Sequence, residues 1–447
     1  MTRLEIANVA AFRKQFAALD GAGHEWLGDL RAAAFDRFAR SGFPGRKIES
    51  WRFTNVTGLA KAALAPVVPV DAIDPVELQD RLPDPQTGPR LVFVDGRLAT
   101  DFCVFDGLPD GVEISGLADM LAQKPDLISE ALKSGLAATG QDDDQALAVL
   151  NAAMFSDGAV IRIGENVKSD TPLHVVYVAS SRCGASAIHL RNLILAAAGS
   201  HVSVVESFIG LGDGDYWTNV VTQVSAERNA RVSHYRLQAE SPGAFHIAKT
   251  AVRLAENSRY ENFALTTGGR LSRSEIGVVM GGVLSHCALS GISLAGGGQH
   301  CDTLSRIDHV HPECESRQDY RSVVADAGHS VFQGKAIVRS DAQHTDARQA
   351  SKNLLLAKSA VAITKPEFEI YADEVKCSHG ATVGELDSDM LFYLRSRGLD
   401  LPAARALLIE GFVAQLLDSI EIDAVRSYLA AAAADWRPGR LPTTRAA

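Results

Sequence analysis

The chain has 447 residues, 46% hydrophobic and 22% charged, with a formal net charge of −10 from 54 acidic against 44 basic residues. That length buries a core with room to spare and predicts two or three domains rather than one. The acidic balance argues against a nucleic-acid or anionic-membrane surface, where a basic face is expected.

Residues 1–155 predict a mixed, mostly helical N-terminal domain. Apolar residues at helical spacing run through Phe12, Phe16 and Leu19, then through Trp26, Leu30, Ala34 and Phe38. The opening MTRLEIANVAAFRKQF alternates apolar with charged residues and lacks the apolar core of a signal peptide. No run of about 18 apolar residues predicts a membrane span. Six cysteines, Cys103, Cys183, Cys287, Cys301, Cys314 and Cys377, are too sparse for a disulfide framework and form no CxxC pair. A reducing cytoplasm is therefore the expected compartment. The stretch SGFPGRKIESWRFTNV breaks the helical pattern at Gly42, Pro44 and Gly45, and its aromatic pair Trp51 and Phe53 reads as exposed. Leu91 to Val94 predicts a strand ending in an Asp95-Gly96 turn. Gln145 to Phe155 predicts a helix stopped by Asp157-Gly158.

From about Ala159 helical periodicity gives way to short β-rich runs: AVIRI, LHVVYVA, HVSVVESF, NVVTQVSA, RVSHYRL and YENFALTT. Small polar turns recur at Ser200, Ala230, Ser258 and His286, and again at Gly328 and Lys358. A near-constant step of about 28–30 residues is the period of a solenoid, whose repeats bury their faces against their neighbours. A β-sandwich also gives many short strands, but the constant period favours a mainly β fold. Its core is expected to be a right-handed parallel β-helix over 156–385. Residues 386–447 return to helix: Asp387 caps a helix closing at Gly398, Asp400 with Pro402 opens another, and a third begins near Ile422.

Several enzymatic motifs are missing. The nearest approach to a phosphate loop, Gly334-Lys335, continues into Ala336 rather than Ser or Thr. Gly210, Gly212 and Gly214 form a turn with no helix behind it, and neither HExxH nor GxSxG occurs. A chain with no ATPase motif of its own, and no catalytic residues, is expected.

Two clusters carry metal-ligand chemistry. The first, Asp308-His309-Val310-His311-Pro312-Glu313-Cys314, puts His309 and His311 on one face if it is a strand. The plainer reading is a polar solenoid face ending at Pro312. The second, Asp373-Glu374-Val375-Lys376-Cys377-Ser378-His379-Gly380, puts Cys377 and His379 on one side of an extended segment, about 6.5–7 Å apart. Thiolate and imidazole both suit iron or zinc, but two ligands leave a tetrahedral site incomplete. Half of a shared site would look this way, and so would a strand-end cysteine beside a turn histidine.

The residues around this second cluster resemble a known family. TKPEFEIYADEVKCSHGATVGELDSDMLFYLRSRG, 364–398, is similar to the most characteristic stretch of the SufB/SufD family, scaffold subunits of the SUF iron–sulfur cluster assembly system. SRQDYRSVVADAGHSVFQGKAIV and TDARQASKNLLL resemble its preceding coils. ESWRFTNV is similar to its N-terminal motif, and ALAVLNAAMFSDGAVIRI to its entry into the solenoid. SufB-type members carry a cysteine where Leu394 stands and lack the CSHGAT form with His379, so the resemblance falls on the SufD side.

That resemblance implies a non-catalytic scaffold subunit that pairs edge to edge with a SufB-type subunit and docks a SufC ATPase on its C-terminal helices. It further implies a transient iron–sulfur cluster at the shared interface, with His379 facing it and Cys377 beside it, and ATP on SufC. No tightly bound cofactor of this chain is expected. A homodimer in isolation stays open. So do the roles of Cys377, His309, His311 and Cys314, and the reductant, including a flavin. Two rival readings remain: an adaptor that binds no iron, and a solenoid carbohydrate-active enzyme.

Overall fold

The computed structural model describes residues 3–17, 24–62, 64–67, 78, 81–83, 88–138 and 143–436. Leu19, expected on the first helical face, lies outside them. The early strands are β1 (Ala65–Pro66), β2 (Arg90–Val94), β3 (Arg97–Leu98), β4 (Val112–Gly116), β5 (Ala159–Ile163), β6 (Leu173–Ala179) and β7 (Ser186–Ala196). Seven more follow: β8 (His201–Gly210), β9 (Trp217–Ala226), β10 (Arg231–Ala239), β11 (Phe245–Leu254), β12 (Arg259–Thr266), β13 (Leu271–Met280) and β14 (His286–Ala295). The last six are β15 (His300–His309), β16 (Glu315–Val324), β17 (His329–Val338), β18 (Asp346–Leu355), β19 (Val361–Ile370) and β20 (Lys376–Glu385).

From β5 onward, odd strands stack in one sheet and even strands in the other, every neighbour parallel. The chain is therefore a mainly β, two-sheet parallel solenoid, not a sandwich of antiparallel sheets. Register pairs His201 with Arg231, Arg231 with Arg259, Arg259 with His286, His286 with Glu315, Glu315 with Asp346 and Asp346 with Lys376, so each coil takes 27 to 31 residues. The polar turns expected at Ser200, Ala230, Ser258, Gly328 and Lys358 fall between strands, whereas His286 is the first residue of β14. β2 and β4 extend the two sheets at the N-terminal end, and Asp95-Gly96 makes the tight turn from β2 into antiparallel β3.

Six of the turns that precede even strands share one conformational demand. Two residues before β8, β10, β12, β14, β16 and β18 the backbone has positive φ, at Gly199, Asn229, Asn257, Leu284, Glu313 and His344. Glycine and asparagine tolerate this region best. At Asn229 and Asn257 the backbone N–H donates to a turn carbonyl of the next coil, and Asn257 Nδ2 donates to Asn229 Oδ1 at 2.7 Å.

Helices cover both outer faces. On the odd-strand sheet lie α1 (Arg3–Ala17), α2 (Glu25–Ser41), α3 (Thr57–Ala62), α4 (Leu117–Gln123), α5 (Ser129–Ala138) and α6 (Ala146–Met154). Phe12, Phe38 and Trp51 pack there with Trp217, Phe245 and Leu271. On the even-strand sheet, after α7 (Ser388–Ser396), lie α8 (Leu401–Leu417) and α9 (Asp423–Asp435). Val413, Leu416, Val425 and Leu429 pack there against Tyr235, Phe263 and Ile292. The caps expected of these helices form: Asp387 Oδ1 accepts from the Asp389 and Met390 N–H groups, and Asp400 Oδ1 from Ala403 N–H.

Two sequence expectations need correction. The buried stripe of α2 is Leu27, Arg31, Phe35 and Phe38, displaced from Trp26, Leu30 and Ala34. Arg31 goes inside because its guanidinium donates to Phe155 O at 2.9 Å and lies 4.5 Å from the Phe155 ring. Trp51 is not exposed: it is 1% accessible, with the Arg273 guanidinium 3.9 Å above its ring. ESWRFTNV runs as a strap across four odd strands, β13, β15, β17 and β19. Thr54 Oγ1 shares a 2.9 Å hydrogen bond with His300 Nε2, Gln333 Nε2 donates to Ser50 O, and Lys365 pairs with Glu49 at 2.7 Å.

Candidate functional site

The solenoid lumen is filled from β2 to β17 by an apolar core that ends near Tyr320 and Phe332. Embedded in it is a polar group centred on Glu206, which shares a 2.9 Å hydrogen bond with His234 Nε2 and accepts from Asn192 at 2.8 Å. Burial alone would raise the Glu206 carboxyl; the facing His234 and nearby Arg236 overcome it and hold the group below its ordinary value. Every partner is internal, which makes this a structural network.

The first sequence cluster does not assemble. β15 ends at His309, so His311 lies in the following turn rather than on the same strand face. The reversal that Glu313 makes at positive φ takes the chain away from strand geometry immediately after. His309 is buried, its Nε2 2.9 Å from Ser316 Oγ, and burial pushes its imidazole down to about 4. Cys314 is buried with its sulfur 3.2 Å from Ser285 Oγ, and burial raises its thiol. These are core contacts.

The second cluster lies on the final strand. Inward columns of the even sheet run Cys287, Ser316, Ala347, Cys377 and Leu289, Gln318, Gln349, His379. Cys377 and His379 thus face the lumen, as the two-residue strand period requires. No coil follows, so the lumen opens here. All of β20 except half-buried Cys377 is exposed, and β19 is half-buried almost throughout. The His379 ring stacks on Phe368 of β19, centroids 5.4 Å apart and planes 11° from parallel. Burial pushes the Cys377 thiol above its ordinary value, leaving it a poor thiolate at neutral pH. Among the described residues, no three His, Cys, Asp or Glu side chains gather as a metal site.

The two final edges differ. β19 carries Lys365, Pro366, Glu367 and Glu369, and proline and charge both blunt an edge against pairing. β20 is uncharged from Cys377 through Gly384, so it is the unguarded template for another strand. Beyond it α7 buries none of its residues, and Phe392 is 75% exposed, with Met390 and Tyr393 also outside.

Fold and site together define a helix-flanked β-solenoid protein with one uncapped, histidine-bearing end. Comparison with known proteins supplies the family. Residues 177–412 match the SufBD core domain of SUF system FeS cluster assembly, and residues 5–175 the SufBD protein N-terminal region. The chain belongs to this SufBD family. It is 29% identical to the iron–sulfur cluster assembly protein SufD of Escherichia coli over 402 residues, 90% of each chain. It is 32% identical to the chloroplastic protein ABCI7 of Arabidopsis thaliana, over 87% of this chain and 82% of that one. An iron–sulfur cluster assembly SufBD family protein of Synechocystis is 29% identical over 93% of this chain and 92% of its own. Among the described residues, no helix is long and apolar enough to cross a membrane.

Proposed function

We propose that this chain is the SufD-type, non-catalytic half of a cytoplasmic scaffold on which nascent iron–sulfur clusters are built. The observation that carries this is the uncapped terminal coil, which presents an unguarded strand and an inward-facing histidine at one open mouth. A SufB-type subunit pairs with that edge and completes the site, with the cluster held as cargo rather than as a resident cofactor. His379 is the ligand this chain contributes. Cys377, with its raised thiol, is the weaker candidate. The C-terminal helices, with the exposed apolar residues of α7, dock the SufC-type ATPase that binds ATP.

The test is to co-express the chain with SufB- and SufC-type subunits and measure iron, sulfide and ATPase activity in the purified complex. His379→Ala should leave the complex assembled but reduce its iron and sulfide, with Cys377→Ser showing a milder defect. Normal cluster content in His379→Ala would overturn the ligand assignment and leave an iron-free adaptor.

A further inference from the structure

A histidine ligand coordinates through a lone pair lying in the ring plane, so its ring must be held while the coordinating nitrogen stays free. β20 supplies little of that hold. Gly380 follows His379 directly, Gly384 lies five residues after His379, and neither has any neighbouring atom within 4 Å of where a Cβ would sit. No hydrogen bond of the described residues engages either nitrogen of His379. The Phe368 stack is what constrains the ring, at 5.4 Å and 11°. It acts on the π face, and so orients the imidazole without occupying a lone pair.

Phe368 is well placed to do this because its own strand is anchored on both sides. Register sets Phe368 beside Ala336, at the end of the buried column Val278, Ile307 and Ala336, so its ring points into the lumen. The alternate, outward residues tie β19 down. Lys365 pairs with Glu367 at 3.1 Å and with Glu49 at 2.7 Å, and Glu369 pairs with Lys335 at 2.6 Å. Pro366 fixes its own φ two residues before Phe368. An ion-paired strand of one sheet thereby steadies the ligand on the exposed terminal strand of the other.

We propose that Phe368 is a positioning residue for His379, holding the imidazole plane across the lumen mouth so that a nitrogen is presented to iron when the partner subunit closes the site. This rests on the His379 reading above. Partners that orient a ligating histidine typically change metal affinity 10–100-fold when removed, so a loss of roughly tenfold is the expected scale.

The experiment uses the full chain labelled with 13C and 15N histidine, the His379 ring signals being assigned by their disappearance in His379→Gln. Stacking predicts upfield-shifted ring protons, moved downfield in Phe368→Leu and retained in Phe368→Tyr. In the complex with SufB- and SufC-type subunits, Phe368→Leu should hold iron about tenfold more weakly while subunit content and ATPase activity stay normal. Phe368→Tyr should restore the affinity. If His379→Ala weakens iron binding but Phe368→Leu changes neither the ring signals nor the affinity, this proposal alone is overturned. If His379→Ala itself leaves iron binding unchanged, the ligand reading fails and takes the proposal with it.

Discussion

Leu284 is a residue in the wrong place for its chemistry. It holds φ 59 in the turn before β14 while its side chain is 50% exposed. The equivalent positions on preceding coils are Gly199, Asn229 and Asn257. A left-handed residue with a Cβ costs about 1–2 kcal/mol, less for asparagine. Leu284→Asn should therefore stabilise the chain by about 0.5–1 kcal/mol, read as a raised urea midpoint. An unchanged or lowered midpoint would mean that Leu284 makes contacts outweighing the backbone term. The same demand explains what could be read from the sequence: a turn needing a small polar residue at a fixed interval prints its period on the chain. His311 could not be placed that way, because its departure from the strand depends on where the turn through Glu313 begins.

At the scale of elements, the strap at residues 49–56 was legible as a motif but not as a contact. Its partners Arg273, Gln333 and Lys365 lie hundreds of residues away, and an aromatic residue followed by arginine and phenylalanine gives no sign of burial. Trp51→Ala removes a fully enclosed indole together with its 3.9 Å contact to Arg273. It should cost about 3–5 kcal/mol in denaturant unfolding; a cost below about 1 kcal/mol would show the strap to be dispensable. The C-terminal helices invite the opposite treatment. Truncation after Leu386 would uncover Tyr235, Phe263 and Ile292 on the even sheet, so loss of ATPase binding in such a variant would report aggregation. Phe392→Glu on the outer face of α7, where Phe392 is 75% exposed, is the cleaner probe. Thermal stability should be unchanged while the ATPase no longer co-purifies; retained co-purification would move the docking surface elsewhere.

For the whole molecule, buried neutral histidines set the response to acid. Burial pushes His174 and His309 down to about 4 and His189 to about 3. In the unfolded chain these imidazoles titrate near ~6.5. Between those values the unfolded state binds protons that the folded state refuses, so stability falls as pH drops from about 6.5 towards about 4. His309 contributes on the order of 3 kcal/mol to that loss. His309→Gln should flatten the slope of stability against pH in this window by close to one proton; an unchanged slope would mean that His309 is already protonated in the folded chain.

The solenoid and its helical ends were legible because periodicity reports burial coil by coil. The end of the solenoid was legible too, because the pattern returns to helix after residue 385. The exposure of β20 was not legible: the spacing of Cys377 and His379 fits half of a shared site and a strand-end cysteine beside a turn histidine alike, and the family resemblance is what favoured the first. The proposed function requires β20 to be an edge that a partner covers. Hydrogen exchange of the Lys376–Glu385 amides, measured on the chain alone and in complex with the SufB-type subunit, reads this directly. Every second amide should exchange quickly in the isolated chain and become strongly protected in the complex. Amides of β20 that exchange equally fast in both states would contradict it.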